Sequence, residues 1–271
     1  MAASVRQMAW EPFTPRGVAA FAAASLGRVL LVQLVVGLWA AGTATWCLGH
    51  TWWPTISAAI LQLPEQGQIR GGHLTWRKES PTVLAEARCL ALTVDLLHGG
   101  KVRSPAHVQI EFGEHDVEIF SLLGYLQWRY PPGYIITFAR PDLQPWWGAW
   151  APALLALIFL VTLASLLLSW GVLATVFSGP VWLIGFFANR QLTWRGSWRL
   201  AGAGLVPGAL FFSGAIVLYG LGALDPVGLL LAWVLHLVIG CLYLAISPFF
   251  LLRSPDAENH KTNPFREPQT K

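Results

Sequence analysis

Glu111, Glu114, His115, Asp116 and Glu118 crowd one short stretch of a 271-residue chain in which only 12% of residues are charged. Carboxylates and an imidazole are the usual oxygen and nitrogen ligands of divalent cations, and also the usual acid–base groups of hydrolases. Around Gly113-Glu114-His115-Asp116, the segments His107 to Phe112 and Val117 to Leu122 alternate apolar and polar residues, which predicts a β-hairpin. If Gly113 pairs with Asp116, Glu111 stands opposite Glu118 on one face, and like charges facing across strands repel unless a cation sits between them. Glu111, Glu118 and His115 are therefore the residues that would hold a metal. The competing reading is a solvated hairpin tip whose repulsion a nearby Arg or Lys relieves. No zinc-type ligand spacing accompanies the run, so the sequence assigns no metal, cofactor or catalytic residue.

Two further side chains invite a chemical reading. Ser80 precedes Pro81 with no nucleophile-elbow glycines around it, so it reads as the cap of a brief helix running toward Glu86. His236 is the one titratable group in the apolar stretch Pro226 to Leu252. Intramembrane ionisable groups are costly and mark function, yet no Asp, Glu, Lys or Arg in any predicted span could share its proton. A neutral imidazole bonding to a Ser, Thr or carbonyl of a neighbouring helix is the expectation.

The elements that must position these groups are mostly apolar. A mean hydropathy of +0.52 and 15 Trp place the chain in the membrane class. Four uncharged stretches are long enough to span a bilayer, which takes about 20 apolar residues in a helix. They are Val29 to Leu48, part of the run between Asp142 and Arg190, Leu200 to Leu224, and Pro226 to Leu252. Gly204 and Gly208 let the third helix approach another closely. Arg6, Arg16 and Arg28 precede the first span, Arg190, Arg195 and Arg199 precede the third, and Arg253, Lys261, Arg266 and Lys271 follow the fourth. The positive-inside rule then puts both termini in the cytoplasm and makes the chain a multi-pass protein of the inner membrane. It also admits only one span in the 47 uncharged residues Leu143 to Asn189. That span is placed from about Trp147 to Leu173, with an interfacial or re-entrant segment following a break near Ser178-Gly179-Pro180.

Residues 49–146 are thereby external, enough for a small α/β domain rich in hairpins. Its expected parts are an apolar helix over Ile56 to Leu63, a tight hairpin at Arg70-Gly71-Gly72-His73, and a strand over Leu90 to Asp95. Asp225 with Pro226 caps the fourth span. Cys47 and Cys241 lie in or beside spans and Cys89 is alone in the external part, so no disulfide framework is read. The net charge of +4 sits where cytoplasmic orientation requires it, which excludes nucleic acid as a partner and leaves the lipid bilayer, and another membrane protein or a second copy. Asn263-Pro264-Phe265 in the polar tail matches a short endocytic recognition motif.

The layout resembles a known group. One N-terminal span, an external part opening with Leu63-Pro64 and Gly67-Gln-Ile-Arg-Gly-Gly-His-Leu-Thr-Trp76, and the segment Leu192-Thr-Trp-Arg-Gly-Ser-Trp-Arg-Leu200-Ala-Gly-Ala-Gly-Leu-Val-Pro207 are similar to bacterial membrane proteins grouped as domain of unknown function 1189, themselves distantly similar to Yip-type proteins. The resemblance implies the topology and no catalytic residues. Together these readings predict a mainly α polytopic protein of about four transmembrane helices with an external domain between the first two, acting without catalysis in sensing, scaffolding or assembly. The alternatives are a small transporter or channel subunit working as an oligomer, and a metal-dependent hydrolase using the acidic hairpin.

Overall fold

A computed structural model describes residues 12–254; the tail motif at Asn263 and the arginine at position 6 lie outside them. The elements, in order, are α1 (Pro15–Ala20), α2 (Leu26–Thr51), α3 (Trp53–Leu61), β1 (Gln68–Arg70), β2 (His73–Thr75), β3 (Thr82–Glu86), β4 (Leu90–Val94), β5 (Val108–Phe112), β6 (Asp116–Ser121), β7 (Gly124–Arg129), β8 (Ile135–Thr137), α4 (Arg140–Phe187), α5 (Trp194–Gly204), α6 (Val206–Gly220) and α7 (Pro226–Ile246). Four helical segments are long and apolar enough to cross a membrane: Leu26–Leu61, Arg140–Phe187, Trp194–Gly220 and Pro226–Phe250. The chain divides into two compact units.

One unit comprises Met1–Ala41, Val161–Ala215 and Leu231–Lys271. Its core joins Val18, Phe21, Val29, Ala174, Val181, Leu200 and Leu244. Gln33, 3% exposed, donates from Nε2 to the Gly202 carbonyl at 3.2 Å, giving the one strongly polar side chain of the first span a partner in a region where an unpaired amide is costly. Small residues set the helix spacing here. A methyl group on Gly204 would lie 2.7 Å from Leu244, and one on Gly208 would lie 2.5 Å from the His236 carbonyl oxygen.

One expectation fails in this unit. The break near Pro180 does not occur: α4 runs unbroken from Arg140 to Phe187. Ser178 and Val181 are each 1% exposed, and Val181 belongs to the apolar core; this packing holds the helix through a proline whose missing N–H costs one backbone bond. The third span is present as Trp194–Gly220 and carries a joint, where α5 ends at Gly204 and α6 starts at Val206, just ahead of Pro207. Proline cannot donate to the preceding turn, which accounts for the joint.

The other unit comprises Gly42–Leu160 and Ile216–Leu230. A three-stranded sheet has the order β2-β1-β8 and a five-stranded sheet the order β3-β4-β5-β6-β7, with β4 and β5 parallel and the other pairs antiparallel. The β1–β2 turn uses Gly71 and Gly72 at φ +62° and +80°, the left-handed region that makes Gly-Gly a hairpin signal. Leu90, Leu92 and Val94 of β4 pack with Ala59, Leu63, Ile69, Leu74, Leu84, Tyr130 and Phe138. Each fully buried side chain of this kind contributes about 1.5–3 kcal/mol. Ser80-Pro81 opens strand β3 and no helix, because pairing with β4 buries Leu84 and outweighs the local cap signal. Ser80 Oγ instead accepts from the Leu96 amide at 3.1 Å. Strands β7 and β8 carry no expectation from the sequence.

Candidate functional site

The register of β5 and β6 sets Gly113 N–H on the Asp116 carbonyl at 2.8 Å and pairs Glu111 with Glu118, as the alternation predicts. Strand parity then defines a polar face. Thr93 pairs with Glu111 across the parallel β4–β5 ladder, and Glu118 pairs with Gln127 across β6–β7. The connection from β4 back to β5, residues 95–107, places His98 and Arg103 on this face.

His98 is the centre of the arrangement. Its Nδ1 lies 2.7 Å from Glu111 Oε1 and its Nε2 2.6 Å from Asp116 Oδ1, with Glu118 Oε2 at 3.5 Å from Nδ1. With both carboxylates ionised, each contact needs a proton from the ring, and the imidazole is then a cation. Burial lowers the tendency of His98 to hold its charge, but the hydrogen bonds to Glu111 and Asp116 and the charge of Glu118 outweigh it, and the net shift is upward. Glu111 is fully buried. Its other oxygen lies 3.6 Å from Arg103 Nη1 and accepts from Gln109 Nε2 at 3.2 Å; Arg103 in turn lies over the Phe120 ring, 3.8 Å from its centroid. Gln127 donates to Asp116 at 2.6 Å. Gly113 makes room for the ring, since a Cβ there would sit 2.0 Å from His98 Nε2. Tyr130 donates from its hydroxyl to the Gly113 carbonyl at 3.1 Å, and burial followed by the charge of Asp116 pushes its phenol well up, which keeps that donor protonated.

Chemically the face is a closed ion network. His98, Glu111 and Glu118 also bring one ligand atom each within 4.8 Å of one another, but a metal there would have to replace the proton that the ring shares with Glu111. His98 and Arg103 face the Glu111–Glu118 pair, but Glu111 is fully buried, so the pair does not sit on the solvated tip of the competing reading. His115 lies elsewhere. Its ring meets His73 edge-on at a centroid distance of 4.3 Å, and His73, Glu114 and His115 bring one ligand atom each within 4.8 Å of one another.

A second set of contacts lies at the start of the same two strands. Because β4 and β5 are parallel, Arg88 and His107, the residues leading into them, fall at one end of the sheet, and the His107 amide donates to the Arg88 carbonyl at 3.0 Å. Arg88 donates to the Tyr219 carbonyl at 2.5 Å and to the Leu224 carbonyl at 3.4 Å, and His107 Nδ1 meets the Tyr219 hydroxyl at 2.8 Å. These carbonyls belong to the end of α6 and to its turn, where helix C-termini leave acceptors unsatisfied and favour a cation. Burial first, then the Arg88 guanidinium, holds His107 below the usual imidazole range. The turn itself is closed by Gly222 at φ +88° and by Asp225, whose side chain caps α7 through the Gly228 amide at 2.6 Å.

Of the remaining sequence candidates, His236 accepts no charged partner among the described residues. Its Nδ1 bonds to the Trp233 carbonyl one turn back, and its ring stacks on Phe212 at 5.0 Å. The polar partner is thus in its own helix, and the contact with the neighbouring helix is aromatic, because the close approach at Gly208 brings the two helix surfaces together.

Comparison of the chain with family models, with curated proteins and with solved structures finds no match in any of the three.

Proposed function

We propose that this chain is a non-enzymatic integral membrane protein of four spans, with both termini cytoplasmic in a bacterial inner membrane. Its β-rich domain would be a sensing or assembly module that acts on the helices. The observation that carries this reading is the clasp of Arg88 and His107 on Tyr219 and Leu224. It ties the starts of β4 and β5 to the turn between the last two apolar helices, and β5 also carries Glu111 of the His98 network. A change of that network, by a partner or by a proton, is thereby mechanically connected to the α6–α7 turn. The loop charges support the orientation. A catalytic reading has less support, since the ionisable groups of the polar face are consumed in bonds to one another.

The test is amide hydrogen exchange in lipid nanodiscs. His98→Gln should raise exchange over residues 218–225, and Arg88→Ala should raise it there and remove any further effect of His98→Gln. Exchange in the turn that ignores both substitutions would contradict the relay.

A further inference from the structure

His73, Glu114 and His115 come from different sheets and differ chemically from the His98 network. His73 opens β2 at the far side of the Gly71-Gly72 turn, and Glu114 and His115 form the β5–β6 turn. A backbone bond joins the two tips, the Leu74 amide donating to the Glu114 carbonyl at 2.7 Å, and the Tyr130 amide, just after β7, donates to the His115 carbonyl at 3.0 Å. The side chains are positioned by these bonds and yet are not used up. His73 Nδ1 lies 3.8 Å from Glu114 Oε1, beyond hydrogen-bond distance, and the His73 and Glu114 side chains are 59% and 46% exposed. The ring nitrogens of His73 and His115 and the carboxylate of Glu114 are thus not consumed in side-chain hydrogen bonds among the described residues.

We infer that His73, Glu114 and His115 form a binding site for a zinc-class divalent cation that bridges β2 to the β5–β6 turn. Two imidazoles and one glutamate are a ligand set that zinc uses when a fourth position stays open to solvent. In a tetrahedral site with bonds of about 2.1 Å, neighbouring donors stand roughly 3.4 Å apart. The three donors here lie within 4.8 Å of one another, so rotation about side-chain bonds suffices and the backbone need not move. The soft–hard balance of two nitrogens and one oxygen favours zinc, cobalt or nickel over calcium or magnesium, which take oxygen ligands. Occupancy would staple the three-stranded sheet to the five-stranded one at the tips. The inference stands on this cluster alone and does not depend on the relay to the α6–α7 turn.

The experiment uses the full chain in detergent micelles, carrying no polyhistidine tag, titrated with ZnCl2 against a fluorescent zinc chelator at pH 7.5. One equivalent of zinc should bind. His73→Gln and, separately, Glu114→Gln should weaken it by more than ~10-fold, because loss of even an outer partner of a metal ligand costs 10–100-fold. Glu118→Gln, in the other network, should leave it unchanged. Unchanged far-ultraviolet circular dichroism of the metal-free variants separates loss of ligand from loss of fold. Absence of stoichiometric binding, equal affinity in His73→Gln and the parent, or loss of binding in Glu118→Gln would each overturn the site.

Discussion

His98 and Glu111 meet at 2.7 Å from positions 13 residues apart, one on the connection that crosses the polar face and the other fully buried on the strand beneath it. The contact gives a buried carboxylate its closest cation. Removing one partner of a buried ion pair leaves an uncompensated charge and typically costs 3–5 kcal/mol. His98→Ala should therefore lower the stability of the β-rich unit by about 3 kcal/mol. Denaturant unfolding followed through tryptophan fluorescence checks this, and a loss under about 1 kcal/mol would mean that the network is not buried as described.

Gly113→Ala is the complementary substitution. Its methyl group would occupy the place of the imidazole, displacing His98 without removing it. The loss should match that of His98→Ala, and the double variant should lose little more than either alone, since both break the same contact. Additive losses would show that the glycine serves another purpose.

The same contact sets a pH dependence. The folded state holds the His98 proton more tightly than the unfolded chain, whose ordinary value is 6.5. The stabilisation is therefore fully present below pH 6.5 and is lost as pH rises through the folded value. His107 acts in the opposite sense, since its folded value is lowered: its contribution is present above pH 6.5 and is lost as pH falls toward the folded value. Stability measured from pH 5 to pH 9 should thus decline at both ends. His98→Gln should flatten the alkaline limb and His107→Gln the acid one; an unchanged alkaline limb in His98→Gln would contradict the cationic imidazole.

Packing in the helical unit turns on Gly208, whose added methyl group would lie 2.5 Å from the His236 carbonyl oxygen. Gly208→Ala should destabilise the unit by about 1–3 kcal/mol, the usual cost of forcing atoms into a packed site. His236→Asn should cost less, about 0.5–1 kcal/mol, because its polar bond is to its own helix and only the stacking on Phe212 joins the neighbouring one. Thermal unfolding of both variants in nanodiscs ranks the two, and the reverse order would make the imidazole and not the glycine the helix-pairing element.

Much of the hairpin was legible because its cues are local. The alternation of apolar and polar residues and the Gly113-Asp116 turn give the Glu111–Glu118 register directly. His98 was not legible: it lies on a crossover joining two parallel strands, where no periodicity marks which side chain folds back over the sheet. Strand β7 was missed because its residues are exposed on both faces, so burial imposes no alternation on its sequence. The unbroken α4 was misread for a different reason. Pro180 is a valid local breaker, and only the buried neighbours of Ser178 and Val181 outweigh it.

The relay proposed for the β-rich domain requires it to lie on the same side of a membrane as the α6–α7 turn, and the loop charges put that side opposite the arginine loops. Single cysteines decide this in a background where Cys47, Cys89 and Cys241 are replaced by serine. A membrane-impermeant maleimide applied to spheroplasts should label cysteine substituted at Gly100 and at Ala223, and should leave cysteine at Arg195 and at Arg253 unlabelled until the membrane is opened. Labelling of Gly100 and Ala223 from opposite sides, or of Arg195 together with Gly100 in intact spheroplasts, would contradict the account.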